Sequence, residues 1–243
     1  MKRTSILFLA LLFVGLLAVS GAWGAISYSE FPPEVNGLKS ENIDELFRKA
    51  RTTRPWNDPT SIEAQYQLGV FFQYILKAGH GLDLKDKEGL ETKKQIVSSS
   101  YEQMMYWLKR AAVRGHVQAQ FLLGYMSYYG MFLGGACDID GMHIWLELAA
   151  KNGHARAQAH LAYMYMIMRP DKEKAFHWAQ NSAEQGDTYG MYLLGRIYND
   201  SSYPEYNPDK AKEWNDKANK ADKDDPTIDL NHNDVPTIRE KSK

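Results

Sequence analysis

The sequence is poor in cysteine, since its 243 residues contain only Cys137. A single cysteine excludes an intramolecular disulfide, so packing alone has to hold the fold together. Two states remain open for this thiol, a shielded position within the fold or an intermolecular disulfide. The sequence favours the shielded position.

The sequence also lacks the motifs of the common catalytic centres. It contains no G-x-S-x-G elbow, no glycine-rich phosphate loop and no dinucleotide-binding fingerprint. None of its seven histidines forms an H-x-x-x-H or H-E-x-x-H pair, the spacing that places two ring nitrogens on one helix face. Asp138, Asp140 and Gly141 resemble only the start of a calcium loop, whose later ligands are missing. We therefore predict no catalytic residue, no metal site and no cofactor.

Strong charge of either sign is absent as well, because 29 basic and 30 acidic side chains give a formal charge of −1. No basic field for nucleic acid exists. The first residues are different in character: Lys2 and Arg3 precede an apolar run over residues 6–19, broken only by Gly15, and small residues follow. This order is typical of a secretory signal peptide. We predict a signal peptide over residues 1–24, cleaved after Ala22 or Gly24, and a location in the periplasm, with secretion less favoured.

An uncleaved membrane anchor is the alternative for this N-terminal run. It is disfavoured, because a helix that spans a bilayer needs about 20 apolar residues.

Four tryptophans mark an internal repeat. Trp107, Trp145, Trp178 and Trp214 lie 38, 33 and 36 residues apart. A glycine follows the first three of them at the eighth position, as Gly115, Gly153 and Gly186, and Asp222 replaces it after the fourth. A residue that favours helix N-termini lies seven positions before each tryptophan; these residues are Ser100, Asp138, Asp171 and Asn207. We therefore predict a helix from each capping residue to the glycine, with a capping box of Ser100 and Gln103 at the first.

A second motif precedes each of these helices. It has the form A-x-x-x-L-G, with a small residue at both ends, and occurs at residues 64–69, 119–124, 157–162 and 190–195. Small side chains at this spacing allow a close approach between helices. The two motifs thus predict a pair of antiparallel helices in each repeat, and stacked pairs form a solenoid.

These motifs resemble the Sel1-like repeat, a relative of the tetratricopeptide repeat. Asp171, Lys174, Ala175, Trp178, Ala183 and Gly186 match its second helix. The resemblance implies an all-α fold, a right-handed α-solenoid of antiparallel helix pairs with about four repeats over residues 62–221. We expect residues 25–61 to form an N-terminal segment with a capping helix at 40–50, and residues 222–243 to form a polar tail that is disordered or loosely attached. An insert at 77–98 is longer than loops usually are, so it is either functional or mobile.

The resemblance also implies a binding groove. In related solenoids the concave wall is formed by the first helix of each unit. The corresponding partner-binding residues here are Tyr66, Tyr74, Phe121, Tyr125, Tyr128, Tyr129, Tyr163, Met166, Tyr189, Tyr192 and Arg196. Tyrosine and arginine are common at interfaces, whereas each single ring could equally belong to the core.

The leading hypothesis is a non-enzymatic periplasmic protein that binds another protein in this groove. Periplasmic members of the family that act as immunity proteins against lipase-type toxic effectors suggest a sharper form of it. An adaptor or scaffold in the envelope or at a host surface is the alternative, and a hydrolase of cell-wall or β-lactam substrates is the least favoured. Neither nucleic acid nor, after signal cleavage, a membrane is expected as a partner.

Overall fold

A computed structural model of the chain describes residues 40–52, 55–80, 87–129, 139–224, 228–229 and 237–238. The signal peptide predicted at 1–24, Cys137 and Asp138 lie outside these residues. Nine helices are present in the described part of the chain. They are α1 (Ser40–Arg51), α2 (Pro59–His80), α3 (Lys87–Val113), α4 (Val117–Tyr129), α5 (Ile139–Lys151), α6 (Ala155–Ile167), α7 (Lys172–Glu184), α8 (Thr188–Asn199) and α9 (Pro208–Asp224).

The chain divides into two compact units, Met1–Gln120 and Phe121–Lys243. In the first unit, α2 packs against both α1 and α3. Its core includes Leu46, Phe47, Leu68, Phe71 and Leu108, all buried. Helix α1 covers the segment for which the sequence predicts a capping helix.

The insert predicted at 77–98 is not a loop, and this expectation was wrong. Helix α2 continues through His80 and α3 begins at Lys87, so only residues 81–86 lie outside the described elements. The capping box at Ser100 is wrong for the same reason, because Ser100 lies in the middle of α3 and is buried. Buried Ile96, one turn earlier, keeps the apolar face of the helix continuous across the proposed start.

In the second unit, α6 packs against α5, α7 and α8, and α8 also packs against α7 and α9. Small residues allow these contacts, since Ala159, Ala162, Ala175, Ala179 and Ala183 are buried in one cluster with Leu193 and Leu194. Trp178 and Trp214 pack against the same cluster, whereas Trp107 is buried in the first unit. Three of the four repeated tryptophans are thus part of the packing.

The glycines of the A-x-x-x-L-G motif permit close helix contacts. A Cβ atom on Gly124 would lie 2.7 Å from Leu146 Cγ and 3.0 Å from its backbone nitrogen. A Cβ on Gly69 would lie 2.6 Å from Leu108 Cγ. These distances are shorter than van der Waals contact. They confirm that the motif sets the spacing between the two helices of a repeat.

The described residues of the C-terminal segment belong to the end of a helix and to a short ladder. Helix α9 ends at Asp224, and a two-residue antiparallel ladder pairs β1 (Ile228–Asp229) with β2 (Thr237–Ile238). The rest of the tail lies outside the described residues, so its predicted disorder stays a prediction.

Candidate functional site

Three short turns join the second helix of one repeat to the first helix of the next repeat. Gly115, Gly153 and Gly186 adopt φ values of 91°, 85° and 87°, a left-handed conformation in which a Cβ atom causes strain. At the middle turn, the Gly153 amide donates to the Ala150 carbonyl and the His154 amide to the Ala149 carbonyl, at 3.0 Å each. This is a Schellman motif, and it confirms the glycines as helix C-caps.

The residue after each glycine begins the next helix. His116 Nδ1 accepts a hydrogen bond from the Ala119 amide and His154 Nδ1 from the Ala157 amide, both at 3.1 Å. Asp187 serves in the same place, where its carboxylate accepts from the Gly190 amide at 2.9 Å. The sequence assigned the two histidines to turns and missed this capping function. The signal that could have revealed it is the A-x-x-x-L-G motif, which begins three residues after each histidine.

Buried glutamines complete the turns. Gln120 Nε2 donates to the Ala112 carbonyl at 3.0 Å, and Gln158 Nε2 donates to the Ala150 carbonyl at 3.1 Å. Each amide reaches back eight residues and supplies a second donor to a carbonyl at the end of the preceding helix, which already accepts from the amide of the turn glycine. The repeated Ala-Gln dipeptide in the sequence is the signal for this role.

The second compact unit contains a continuous cluster of rings on α4, α6 and α8, the first helices of its repeats. We call this cluster the aromatic ladder; its members are Phe121, Tyr125, His160, Tyr163 and Tyr189. His160 on α6 lies between the other two helices, with its ring centroid 5.6 Å from that of Tyr125 on α4 and 5.5 Å from that of Tyr189 on α8. Phe121 lies 5.8 Å from both Tyr125 and His160, and Tyr163 lies 6.4 Å from Tyr189. The ladder therefore connects three successive repeats through side-chain contacts.

The ladder keeps its central histidine neutral. His160 is 8% exposed, and burial, assisted by the nearby charges of Arg156 and His154, lowers its pKa to about 3. Burial also lowers the pKa of His154. Arg156 is held at the edge of the ladder, because its Nε donates to Asp187 at 2.7 Å and its guanidinium lies 5.9 Å from the Tyr189 ring centroid. The positive charge that Arg156 places beside the rings is thus already paired with the Asp187 carboxylate.

The residues predicted to line the groove differ in accessibility. Tyr125, Tyr163, Met166, Tyr192 and Arg196 are half-buried in the second unit, and Tyr66 is half-buried in the first. Arg196 lies over the Tyr192 ring at 5.9 Å. Tyr66 stacks on His116 with centroids 4.2 Å apart, and burial raises its pKa.

Two of the predicted groove residues are core residues, and their assignment to the groove was wrong. Tyr189 is 1% exposed, because the first turn of α8 lies under Arg156 and His160. Phe121 is buried against His154 and His160. The side chains of Tyr74, Tyr128 and Tyr129 lie outside the described residues, although their backbones belong to α2 and α4.

The described part of the chain also bears on metal binding and membrane insertion. Histidine, cysteine, aspartate and glutamate side chains form no group of three or more there that could hold a metal ion. Likewise, none of the described helices is both long and apolar enough to cross a membrane.

The paired helices, Schellman turns and ladder define a helical repeat protein of stacked helix pairs. The family model of the Sel1 repeat matches residues 62–89, 117–154, 155–187 and 188–222, more than half of the sequence. The chain belongs to the Sel1 repeat family, which confirms the resemblance and the fold class. The model does not match residues 90–116, the segment that contains Trp107.

Several solved structures are similar to this chain. A Sel1 repeat protein from Oxalobacter formigenes is 34% identical over 49% of this chain and 95% of its own, with a TM-score of 0.41. The protective antigen c5321 of uropathogenic Escherichia coli is 19% identical over 77% of this chain and 44% of its own, with a TM-score of 0.45. Immunity protein Pa5087 from Pseudomonas aeruginosa is 19% identical over 84% and 89%, with a TM-score of 0.38. A search of the curated proteins found no match.

Proposed function

We propose that this protein is a non-enzymatic, periplasmic repeat protein that binds another protein. The partner contacts α4, α6 and α8, which are the first helices of the repeats in the second compact unit. The observation that carries the proposal is the row of half-buried tyrosines Tyr125, Tyr163 and Tyr192 on α4, α6 and α8. Tyrosine offers a large contact area and a polar end, the combination common at protein interfaces.

The buried part of the ladder supports this role. Tyr125 is held by Phe121 and His160, and Tyr163 is held by Tyr189. A side chain that is already fixed loses little rotamer freedom when a partner binds, so more of the contact energy contributes to affinity. Half-buried rings on a rigid support therefore fit binding better than they fit packing alone.

Affinity capture with matched variants tests the proposal. The mature chain, the double variant Tyr125→Ala/Tyr163→Ala and the control Tyr206→Ala are immobilised, and periplasmic proteins that bind are quantified by mass spectrometry. Tyr206 is a suitable control because it is 50% exposed and lies between α8 and α9, outside the ladder. Captured candidates are then purified and titrated against each variant.

We expect one partner whose affinity falls at least tenfold in the double variant and remains unchanged in Tyr206→Ala, since hot-spot side chains each contribute about 1 kcal/mol or more. Circular dichroism and thermal unfolding establish that the double variant folds. A purified partner that binds the folded double variant as tightly as the parent chain would contradict the proposal.

The sharper proposal is that the partner is a secreted lipase-type toxic effector, which this protein neutralises by covering it. The predicted export supports it, because the predicted signal peptide would place the chain in the compartment such an effector enters. Hydrolysis of a fatty-acyl ester by a lipase encoded beside this gene should stop when the purified chain is added, and should continue with the double variant. Undiminished hydrolysis would remove the immunity role, and a resident envelope protein as the partner would favour the adaptor role instead.

A further inference from the structure

The first unit carries a second surface with the composition of a binding site, separate from the tyrosines of the proposed function. We call it the arginine stripe: Tyr106, Arg110, Arg114 and Trp56. Tyr106 and Arg110 lie four residues apart on one face of α3, and Arg114 follows four residues later in the turn directly after the helix. Trp56 is 61% exposed and Tyr106 is 50% exposed, unusual values for large rings.

Contacts within the stripe hold its members in place. The Arg110 guanidinium lies 5.5 Å from the Tyr106 ring centroid, and that of Arg114 lies 5.4 Å from the Trp56 ring centroid. Arg114 Nε also donates to the Trp56 carbonyl at 2.7 Å, and its Nη1 donates to Ser61 Oγ at 2.9 Å. Each arginine is thus placed against one exposed aromatic ring.

The two arginines carry positive charge that is incompletely compensated. Arg110 Nε and Arg114 Nη2 are buried and have no hydrogen-bond acceptor among the described residues. Burial, followed by the charge of neighbouring Arg110, lowers the pKa of Arg114, whereas Asp58 acts in the opposite direction. The Asp58 carboxylate is already used at the start of α2, where it accepts from the amides of Thr60 and Ser61. An additional carboxylate beside this pair would reduce the repulsion between the two guanidinium groups.

Stacking of the repeats does not require these residues. The positions of Tyr106 and Arg110, one before and three after the repeated tryptophan, carry different side chains in the other units. These are Ile144 and Leu148, His177 and Asn181, and Glu213 and Lys217. The pair of Tyr106 and Arg110 therefore occurs only in the first of the four repeats.

We propose that the arginine stripe binds an acidic segment of a partner protein, with carboxylates at Arg110 and Arg114 and side-chain contacts on Trp56 and Tyr106. Tryptophan, tyrosine and arginine are the residues enriched at the energetic centres of protein interfaces. Nucleic acid is the poorer match, because its affinity comes from many phosphate contacts and the whole chain has a formal charge of −1.

Fluorescence anisotropy with labelled octaglutamate as the probe tests this proposal on the mature full chain. Octaglutamine serves as the uncharged reference, and a labelled single-stranded RNA octamer represents nucleic acid. The variants are Arg110→Gln and Trp56→Ala, with Lys212→Gln, an exposed lysine on α9, as the control of equal charge change. The Trp56→Ala variant keeps the carbonyl that Arg114 binds, and thermal unfolding of each variant verifies folding.

Octaglutamate should bind more tightly than octaglutamine, and Arg110→Gln should weaken its binding about tenfold, as expected for the loss of a charge-assisted hydrogen bond. Trp56→Ala should weaken it by a similar factor, whereas Lys212→Gln should leave it unchanged. The proposal is overturned if octaglutamate and octaglutamine bind equally or not at all. Equal losses in Arg110→Gln and Lys212→Gln, or tighter binding of the RNA octamer, would overturn it as well.

Discussion

The imidazole ring of His154 lies flat on the ring of Phe121, with centroids 4.4 Å apart and ring planes 18° apart. The same histidine accepts a hydrogen bond from the Ala157 amide through Nδ1. Tyr66 and His116 repeat both features in the first unit, with centroids 4.2 Å apart and a bond from the Ala119 amide. One side chain therefore starts a helix and holds an aromatic ring of the preceding repeat.

Replacement of His154 should separate these two contributions. We expect His154→Ala to lower the free energy of unfolding by about 2 kcal/mol, because an N-cap contributes about 1 kcal/mol and an aromatic contact a similar amount. His154→Asn keeps an N-cap acceptor and should lose only about half as much. Urea unfolding of the two variants measures the difference, and equal losses would show that the cap contributes nothing.

Acid should destabilise the fold through His160. The folded pKa of about 3 lies below the ordinary value of 6.5, so the stability that His160 provides is complete above pH 6.5 and is lost as the pH falls toward 3. Burial of this ring among Phe121 and Tyr125 from α4 and Tyr189 from α8 opposes its protonation, and the charges of Arg156 and His154 add to the effect.

His160→Phe removes this titration and keeps a ring in the ladder. Between pH 6 and 4, we expect the free energy of unfolding of the parent chain to fall by about 1.4 kcal/mol per pH unit more than that of the variant. Chemical unfolding at several pH values provides the comparison. Parallel pH profiles for the two proteins would show that His160 takes up no proton on unfolding.

The close helix contact at Gly190 should not tolerate a side chain. A Cβ there would lie 2.6 Å from Ser182 Cβ and 2.8 Å from the Ala183 backbone nitrogen. We expect Gly190→Ala to destabilise the protein by about 1–3 kcal/mol, as overpacking does. Gly153→Ala, where a Cβ would have nothing within 4 Å, should cost only the backbone strain of about 1 kcal/mol. Thermal unfolding should rank Gly190→Ala below Gly153→Ala, and the reverse order would refute close contact as the cause.

Hydrogen exchange should distinguish a continuous α3 from the predicted loop. Helix α3 begins at Lys87 and includes Ile96, which is 1% exposed. Amides of residues 91–98 have helical acceptors four residues earlier and should exchange much more slowly than those of the exposed turn at residues 56–58. Exchange over residues 91–98 as fast as in that turn would restore the loop interpretation.

Local signals predicted much of the fold, and long-range packing explains where they failed. Gly115, Gly153 and Gly186 were correctly assigned, because a C-cap depends on a few adjacent residues. Asp171 was also correct, since its carboxylate accepts from the Lys174 amide at 3.1 Å. Ser100 has the same local pattern, but burial of Ile96 extends the helix past it, and local pattern does not report burial.

The candidate site was predicted less completely for a related reason. The repeat alignment placed Tyr125, Tyr163 and Tyr189 on first helices, and all three lie there. It could not tell that Tyr189 is buried under His160 and Arg156, since those contacts join residues about 30 positions apart. The capping histidines were missed because histidine is not among the preferred N-cap residues, so the motif that begins three residues after each of them was not interpreted as a cap signal.

The central claim is that the partner binds to α4, α6 and α8. Photo-crosslinking from single positions tests this claim most directly. A benzoylphenylalanine replaces Tyr163 in one protein and Tyr206 in another, and each is irradiated in periplasm. The account predicts a crosslink to one partner protein from position 163 and none to that partner from position 206. A partner that crosslinks from position 206 but not from position 163 would contradict it.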